Sequence, residues 1–274
     1  MSLPPLVICA DDYAISPETS AVILSLLEQG TVNATSCLVE GKAWIQTAAA
    51  LRRLHDKNQS IAVGLHLNLT ESFPGRDSPA IVEPMPLLAL RSLLPFQVQF
   101  LRAVLKSFAA QWNAFIEGFE APPDFIDGHR HVHLFPVVRS AFFRLIHDVS
   151  FRGWVRQCRV SSKRKIAKRR LLDPLSRGLC RTAASCGVPV NPGFGGLRQF
   201  DPGEDIADIW RMDLLSMRSG GVLMVHPGAL GARDNADAVG RCRVQEANLL
   251  AAGEVQAISD SLGLSFDTKI RSVW

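Results

Sequence analysis

Three shortages frame this sequence. Tyrosine occurs once in 274 residues, at Tyr13, so a nucleic-acid groove built on stacked aromatic rings is not expected. The six cysteines (Cys9, Cys37, Cys158, Cys180, Cys186 and Cys242) include no Cys-x-x-Cys pair. That spacing argues against a zinc knuckle and a disulfide framework, and favours a reducing compartment. No run of eighteen uncharged apolar residues occurs, so no membrane-spanning helix is expected. Met1 to Pro5 lacks a basic stretch followed by an apolar one, and no secretory signal is expected there. A soluble, cytoplasmic protein is the expectation.

The composition is that of an ordinary globular protein, 47% hydrophobic and 20% charged. Net charge is +4, but Arg152 to Arg181 holds eleven Lys and Arg against one acid, Asp173, leaving a balance of about −6 for the rest. Histidine is the feature that stands out. Three of the seven fall at alternate positions in Asp127-Gly128-His129-Arg130-His131-Val132-His133. Imidazole is the commonest neutral metal ligand and titrates near physiological pH. On an extended segment, positions i and i+2 share a face, so His129, His131 and His133 could lean into one pocket. Alternating histidines could equally line a solvated strand face.

In chain order, Leu6 to Ala10 reads as a strand buried on both faces, ending in Asp11-Asp12. Ser16-Pro17 opens a helix that stops at Gly30. Asn33 to Val39 reads as a strand, Ala43 to Lys57 as a helix, and Ile61 to Leu69 as a third strand. Five prolines between Glu71 and Pro95 interrupt the rhythm with an insertion at about 71–96. Gln97 to Phe119 reads as a long helix before the histidine strand, Pro136 to Val149 as a helix, and Trp154 to Val160 as a strand. A basic helical segment, about 161–186, is expected to break at Asp173-Pro174 into two helices. Val188 to Phe194, the helix Glu204 to Met217, the strand Gly221 to Val225 and a last helix, Gln245 to Leu262, complete the chain. About seven β/α units with no internal linker predict one α/β domain over 1–274. The expected fold is a TIM-like β/α-barrel variant of about seven parallel strands, closed or incompletely closed.

In such barrels the chemistry sits at the carboxyl ends of the strands. Asp11-Asp12 follows the first strand, His66 lies late in the third, the histidine cluster ends the fourth, and His226 ends the seventh. Each has a bland explanation: acids favour a helix amino terminus, a lone buried histidine is usually just hydrogen-bonded, and His-Pro-Gly can be a turn. Their joint placement at one rim points to a site. One carboxylate and two imidazoles from separate strands would leave positions open for water and substrate, as catalytic metal sites do. Adjacent aspartates on an extended backbone point apart, so one can bind metal while the other takes a proton from the attacking water.

Ala10-Asp11-Asp12, Gly64-Leu65-His66-Leu67, Asp127 to His133 and Val225-His226-Pro227 together resemble the YdjC/ChbG-type carbohydrate deacetylases, in the same order from about residue 6 to 265. Those enzymes remove N-acetyl groups from amino sugars such as chitooligosaccharides. The resemblance implies a variant β/α barrel and one divalent metal ion, Mg²⁺ or Zn²⁺, held by Asp12, His66 and His129. It further implies Asp11 as general base and His226 as the acid that protonates the departing amine. His131, His133 and Asn68 would steady the ligands from behind or meet the sugar. Phe194-Gly195-Gly196 loosely matches a substrate-side Phe-x-Gly, and Tyr13 stands where Phe or Leu is usual.

The Leu-rich stretch from Pro84 to Phe96 follows the strand carrying His66 and should overhang the same rim. With the basic stripe Lys163 to Arg170, it would suit an amphiphilic, lipid-linked amino sugar held at an anionic membrane surface. The leucines could instead cover a neighbouring helix or a second copy of the chain, and the basic run could be a solvated face. The competing enzyme readings are a metal-dependent phosphoesterase or amidohydrolase of another barrel family. A non-catalytic carbohydrate-binding protein is the remaining alternative, and nucleic acid is not an expected partner.

Overall fold

The computed structural model describes residues 5–73, 81–94, 97–201, 203–217, 220–229 and 238–268. The chain opens with β1 (Pro5–Tyr13), α1 (Pro17–Gln29), β2 (Ala34–Cys37), α2 (Lys42–Lys57) and β3 (Ala62–Leu67). Next come α3 (Met85–Leu93), α4 (Val98–Phe119), β4 (Phe125–Gly128), a 3-10 turn (His129–Leu134), α5 (Pro136–Asp148) and β5 (Trp154–Val155). The last third holds α6 (Arg169–Cys186), β6 (Phe194–Gly195), α7 (Ile206–Leu215), β7 (Gly221–Val225), α8 (Ala238–Ala251), α9 (Glu254–Leu262) and β8 (Ser265–Phe266). Among the described residues no helix is long and apolar enough to cross a membrane.

Among the described residues every strand pairing is parallel, in the order β5-β4-β3-β2-β1-β7-β6, with β8 beside the start of β1. Parallel neighbours need crossover helices, so both faces are covered and the central strands are buried along nearly their whole length. Leu6 to Ala10 of β1 is fully buried, as its unbroken apolar run requires. The α1 punctuation also follows the sequence: Ser16 Oγ accepts from Thr19 N at 3.1 Å, and Gly30 closes the helix at φ 73°. At Gly64 an added Cβ would lie 2.3 Å from the Phe125 ring, which itself stacks on Trp154 at 4.5 Å. Only glycine lets β3 and β4 approach over that ring.

The β/α-barrel reading holds, as a curled half-barrel of seven parallel strands that stays open. β5 and β6 do not form a ladder; the isolated bridge Val155–Val190 and a few scattered hydrogen bonds, such as Ser161 N to the Phe194 carbonyl at 2.9 Å, cross the gap instead. Both edge strands are two residues long, and Pro189 and Pro192 remove the N–H groups that a ladder would need. The expected strand Trp154 to Val160 ends at Val155 for a related reason. Beyond it, side chains take over the backbone: Gln157 N donates to Asn191 Oδ1 at 2.7 Å and Cys158 N to Ser176 Oγ at 3.1 Å.

Three further expectations need correction. The histidine cluster is no extended strand: it coils into the 3-10 turn, with Arg130 and His131 left-handed at φ 51° and 61°. Alternation therefore does not place the three imidazoles on one face. The basic segment is not split at Asp173-Pro174: α6 runs from Arg169 to Cys186 as one helix with Pro174 inside it, and Arg169 and Asp173 pair across its first turn at 2.8 Å. The last helix begins earlier than Gln245 and divides in two at Gly253, which adopts φ 75°. Within the proline-rich insertion, α3 is helical; residues 74–80 and 95–96 lie outside the described residues.

Candidate metal centre and active site

β1 ends in a local irregularity that separates its two acids. The pairing with β2 loses register between Ala10 and Tyr13, and Asp12 is left-handed at φ 67°. Aspartate tolerates that region better than most residues. Asp11 and Asp12, both buried, consequently meet different partners.

Asp12 faces two imidazoles. Its Oδ1 lies 2.9 Å from His129 Nδ1 and 3.4 Å from His66 Nε2, and its Oδ2 accepts from Arg243 Nη2 of α8 at 2.6 Å. Asp11 is held by Arg156, the residue after β5, through two parallel bonds: Nη1 to Oδ2 at 2.6 Å and Nη2 to Oδ1 at 2.7 Å. The same guanidinium pairs with Asp127 Oδ2 at 2.8 Å. Asp127 Oδ1 lies 2.6 Å from His66 Nδ1 and accepts from Ser36 Oγ of β2 at 2.5 Å. Register explains this last contact, since His66 and Asp127 are directly paired across β3 and β4.

The charges follow from this packing. Burial opposes ionisation of Asp12 and Asp127, yet His129 and Arg243 hold the first carboxyl well below the usual range. Arg156 and His66 do the same for the second. Burial would also lower His66, but Asp127 and Asp12 outweigh it and push its pKa up to about 10. His129 is raised against burial by Asp12 and Glu71. His226 goes the other way: burial lowers it to about 4 despite the opposing pull of Asp12 and Asp11, so its imidazole is neutral near pH 7.

Asp12, His66 and His129 form a buried group whose ligand atoms all lie within 4.8 Å of one another, and which could hold a metal ion. One oxygen and two nitrogens suit a divalent ion. Two of the three are braced from behind, Asp12 Oδ2 by Arg243 and His66 Nδ1 by Asp127, while His129 Nε2 lies 3.7 Å from Glu71 Oε1, beyond hydrogen-bond distance. Partners behind the ligands, fixing ring and carboxylate orientation, are what metal-binding side chains require. Asp11, His66 and Asp127 meet the same spacing, but there Arg156 already supplies the cation.

These groups open onto a cavity of about 900 Å³ lined by Asp11, Asp12, His66, His129, His131, His226 and Arg243. The rest of its wall is largely apolar, including Ile15, Phe73, Met85, Phe135, Leu172, Leu197 and Phe200, with Arg130 and Lys168 among the basic residues. His131 is packed edge-on against Phe194 at 6.0 Å, with Nδ1 3.5 Å from Cys158 Sγ. His133 turns away from the cavity and donates from Nε2 to the Arg156 carbonyl at 2.8 Å. Asn68 is a loop clamp: its Oδ1 accepts from Thr70 N and Glu71 N, each at 2.9 Å, while Nδ2 donates to Glu40 Oε2 at 2.6 Å. Phe194 and Gly195 are not among the lining residues. The aromatic ring beside His226 belongs to Phe200, 5.3 Å away and edge-on.

Several of these residues escaped the sequence reading. Arg156 stands at a strand end, so the rule that picked out His66 could have found it. Arg243 and Glu246 could not be found that way, because both come from a helix. Glu246 Oε2 accepts from His226 N at 2.5 Å, and its Oε1 accepts from Arg198 Nη2 at 2.5 Å. One face of α8 thereby braces both Asp12 and His226.

A half-barrel with buried acids and imidazoles gathered at its strand ends defines a candidate metal-centred enzyme fold. The chain belongs to the family of YdjC-like proteins, whose model matches residues 5–261. It is 33% identical over 145 residues to the carbohydrate deacetylase of Mus musculus, covering 50% of this chain and 45% of that protein. It is also 33% identical over 139 residues to the chitooligosaccharide deacetylase of Escherichia fergusonii, covering 48% and 52%. The chain thus spans about half the length of the curated relatives it matches. A solved protein from Enterococcus faecalis V583, described provisionally as a cellobiose-phosphate cleavage protein, shares the fold. Its TM-score is 0.70 at 18% identity, over 97% of both chains.

Proposed function

We propose that this protein, acting as one unit over 1–274, is a metal-dependent hydrolase that removes N-acetyl groups from an amino sugar. The observation that carries the reading is the convergence of Asp12, His66 and His129, with Arg243 holding Asp12 from behind and Asp127 holding His66. One divalent ion, Mg²⁺ or Zn²⁺, bound there would polarise the acetamide carbonyl and lower the pKa of water. The donor set tolerates either. Family membership and the names of the two deacetylase relatives support the reaction class.

Water adds to the acetyl carbon, the C–N bond breaks, and acetate and a free amine leave. Asp11 accepts the proton of the attacking water; each carboxylate oxygen keeps a lone pair beyond the one Arg156 occupies. Arg156 is a positioning residue, aiming Asp11 through its planar two-point grip. His226 delivers a proton to the departing nitrogen. Being neutral at rest, it first takes up the proton that Asp11 removed from the water, so one proton passes from the attacking water to the departing amine and Asp11 is restored as a carboxylate. His131 stands on the cavity wall, and His133 steadies Arg156.

The apolar wall favours a substrate with both a sugar and a greasy portion, a lipid-linked amino sugar, alongside a chitooligosaccharide-like one. The free cysteines of the described residues suit a reducing compartment such as the cytoplasm. Arg130 and Lys168 at the cavity give the phosphoesterase reading its one specific support. Product analysis decides. Acetate released from N-acetylglucosamine oligomers or a glycolipid analogue supports deacetylation, whereas inorganic phosphate from phosphomonoesters, without acetate, replaces it with the rival.

A further inference from the structure

We propose that the outer face formed by α3 and the start of α6 docks on an anionic lipid bilayer, turning the mouth of the cavity towards the membrane. The α3 helix has two unlike sides. Leu88 and Ser92 face inward and are buried, and Ser92 Oγ accepts from Val137 N at the head of α5 at 3.0 Å. Leu87, Leu90, Leu93 and Leu94 are 46%, 57%, 60% and 45% exposed. Their spacing gathers them on one stripe. A helix on a water-facing surface normally carries charged residues there. The one charged residue of α3, Arg91, is drawn off to Glu83 and the Phe100 ring. Single exposed leucines need no explanation, but a contiguous group marks a contact surface.

The second half of the face is basic. Lys163, Lys165 and Arg170 are exposed and carry no ion pair among the described residues, while the neighbouring Arg164 and Arg169 are paired with Asp213 and Asp173. Leu171, 50% exposed, projects among them. Both helices border one opening: Met85 begins α3, Lys168, Leu171 and Leu172 flank the start of α6, and all four line the cavity. Between them α5 holds Ser92 on one side, and its Arg139 donates to the Leu175 carbonyl of α6 at 3.4 Å on the other.

An apolar stripe beside two unpaired lysines and an unpaired arginine is the arrangement that binds anionic lipid surfaces. The alternative occupant, a second copy, fits less well. A twofold contact brings the same patch against itself, crowding basic residues that have no acids opposite. A bilayer with acidic headgroups takes both the leucines and the charges.

The test uses the full chain in co-sedimentation with vesicles of phosphatidylcholine alone and of phosphatidylcholine rich in phosphatidylglycerol, at low and high salt. Binding is expected to the anionic vesicles and to weaken with salt. Lys165→Gln should weaken it about fivefold, and the Leu87→Ser/Leu90→Ser pair by on the order of tenfold or more. Melting curves of the variants check that they fold. No binding to anionic vesicles overturns the proposal, as does binding that neither substitution weakens. A dimer that the leucine pair dissociates, without vesicle binding, assigns the stripe to a second copy and also overturns it. Binding is read without turnover, so its failure leaves the acetate assay, and the proposed function, standing on its own result.

Discussion

Asp11 and Asp12 are neighbours in sequence with unrelated surroundings, and that separation is what lets one chain segment supply two roles. The left-handed backbone at Asp12 sends one carboxylate to the imidazoles and leaves the other in the grip of Arg156. Asp11→Asn keeps the shape and removes the proton acceptor. Its turnover is expected to fall by at least about a hundredfold while metal content stays at the wild-type level, measured by acetate release and elemental analysis together. Loss of metal along with turnover would place Asp11 among the ligands instead.

The strand-end rule made Asp11, Asp12, His66, His129 and His226 legible in the sequence, because a parallel sheet delivers such residues to one rim whatever lies between them. His133 and Asn68 lie behind that rim, where their side chains hold the Arg156 carbonyl and the loop after β3. Alternation suggested a shared face for the histidines, but positive φ at Arg130 and His131 is a tertiary choice that no periodicity encodes. Arg243 was equally invisible, since it reaches Asp12 across 231 positions of sequence.

At the scale of elements, two contacts control how the site is presented. Gly64 lets β3 lie against Phe125, so Gly64→Ala forces a methyl into the ring. Overpacking of this kind costs about 1–3 kcal/mol, to be read as a lowered denaturation midpoint; an unchanged midpoint would mean the β3–β4 approach is loose. The loop after β6 is tied down by Glu204, which bonds Arg198 Nη1 at 3.0 Å and the backbone N–H groups of Gln199, Phe200 and Asp201. Burial raises the Glu204 pKa, but the bonds from Gln199 and Arg198 prevail and lower it. A depressed carboxyl contributes stability that is fully present above its unfolded value, about 4.3, and lost as pH falls through the folded one. Glu204→Gln should therefore flatten the fall in stability below about pH 4.3, followed by denaturant titration; an unaltered slope contradicts this. The end of β5 and the division between α8 and α9 were hidden from the sequence because side-chain bonds and Gly253 set them, not hydrophobic pattern.

For the whole molecule, an open half-barrel has to bring β1, β3 and β4 into register so that three side chains far apart in sequence meet. Strand order and direction were legible from the β/α alternation, but closure was not, because it depends on two edge strands too short to pair. The central claim is that Asp12, His66 and His129 share one divalent ion. Anomalous diffraction from crystals of the zinc-loaded protein measures this most directly. A single strong peak is expected about 2.0–2.2 Å from one carboxylate oxygen of Asp12 and one nitrogen of each histidine; an ion bound elsewhere, or no peak between these three residues, would contradict the shared site.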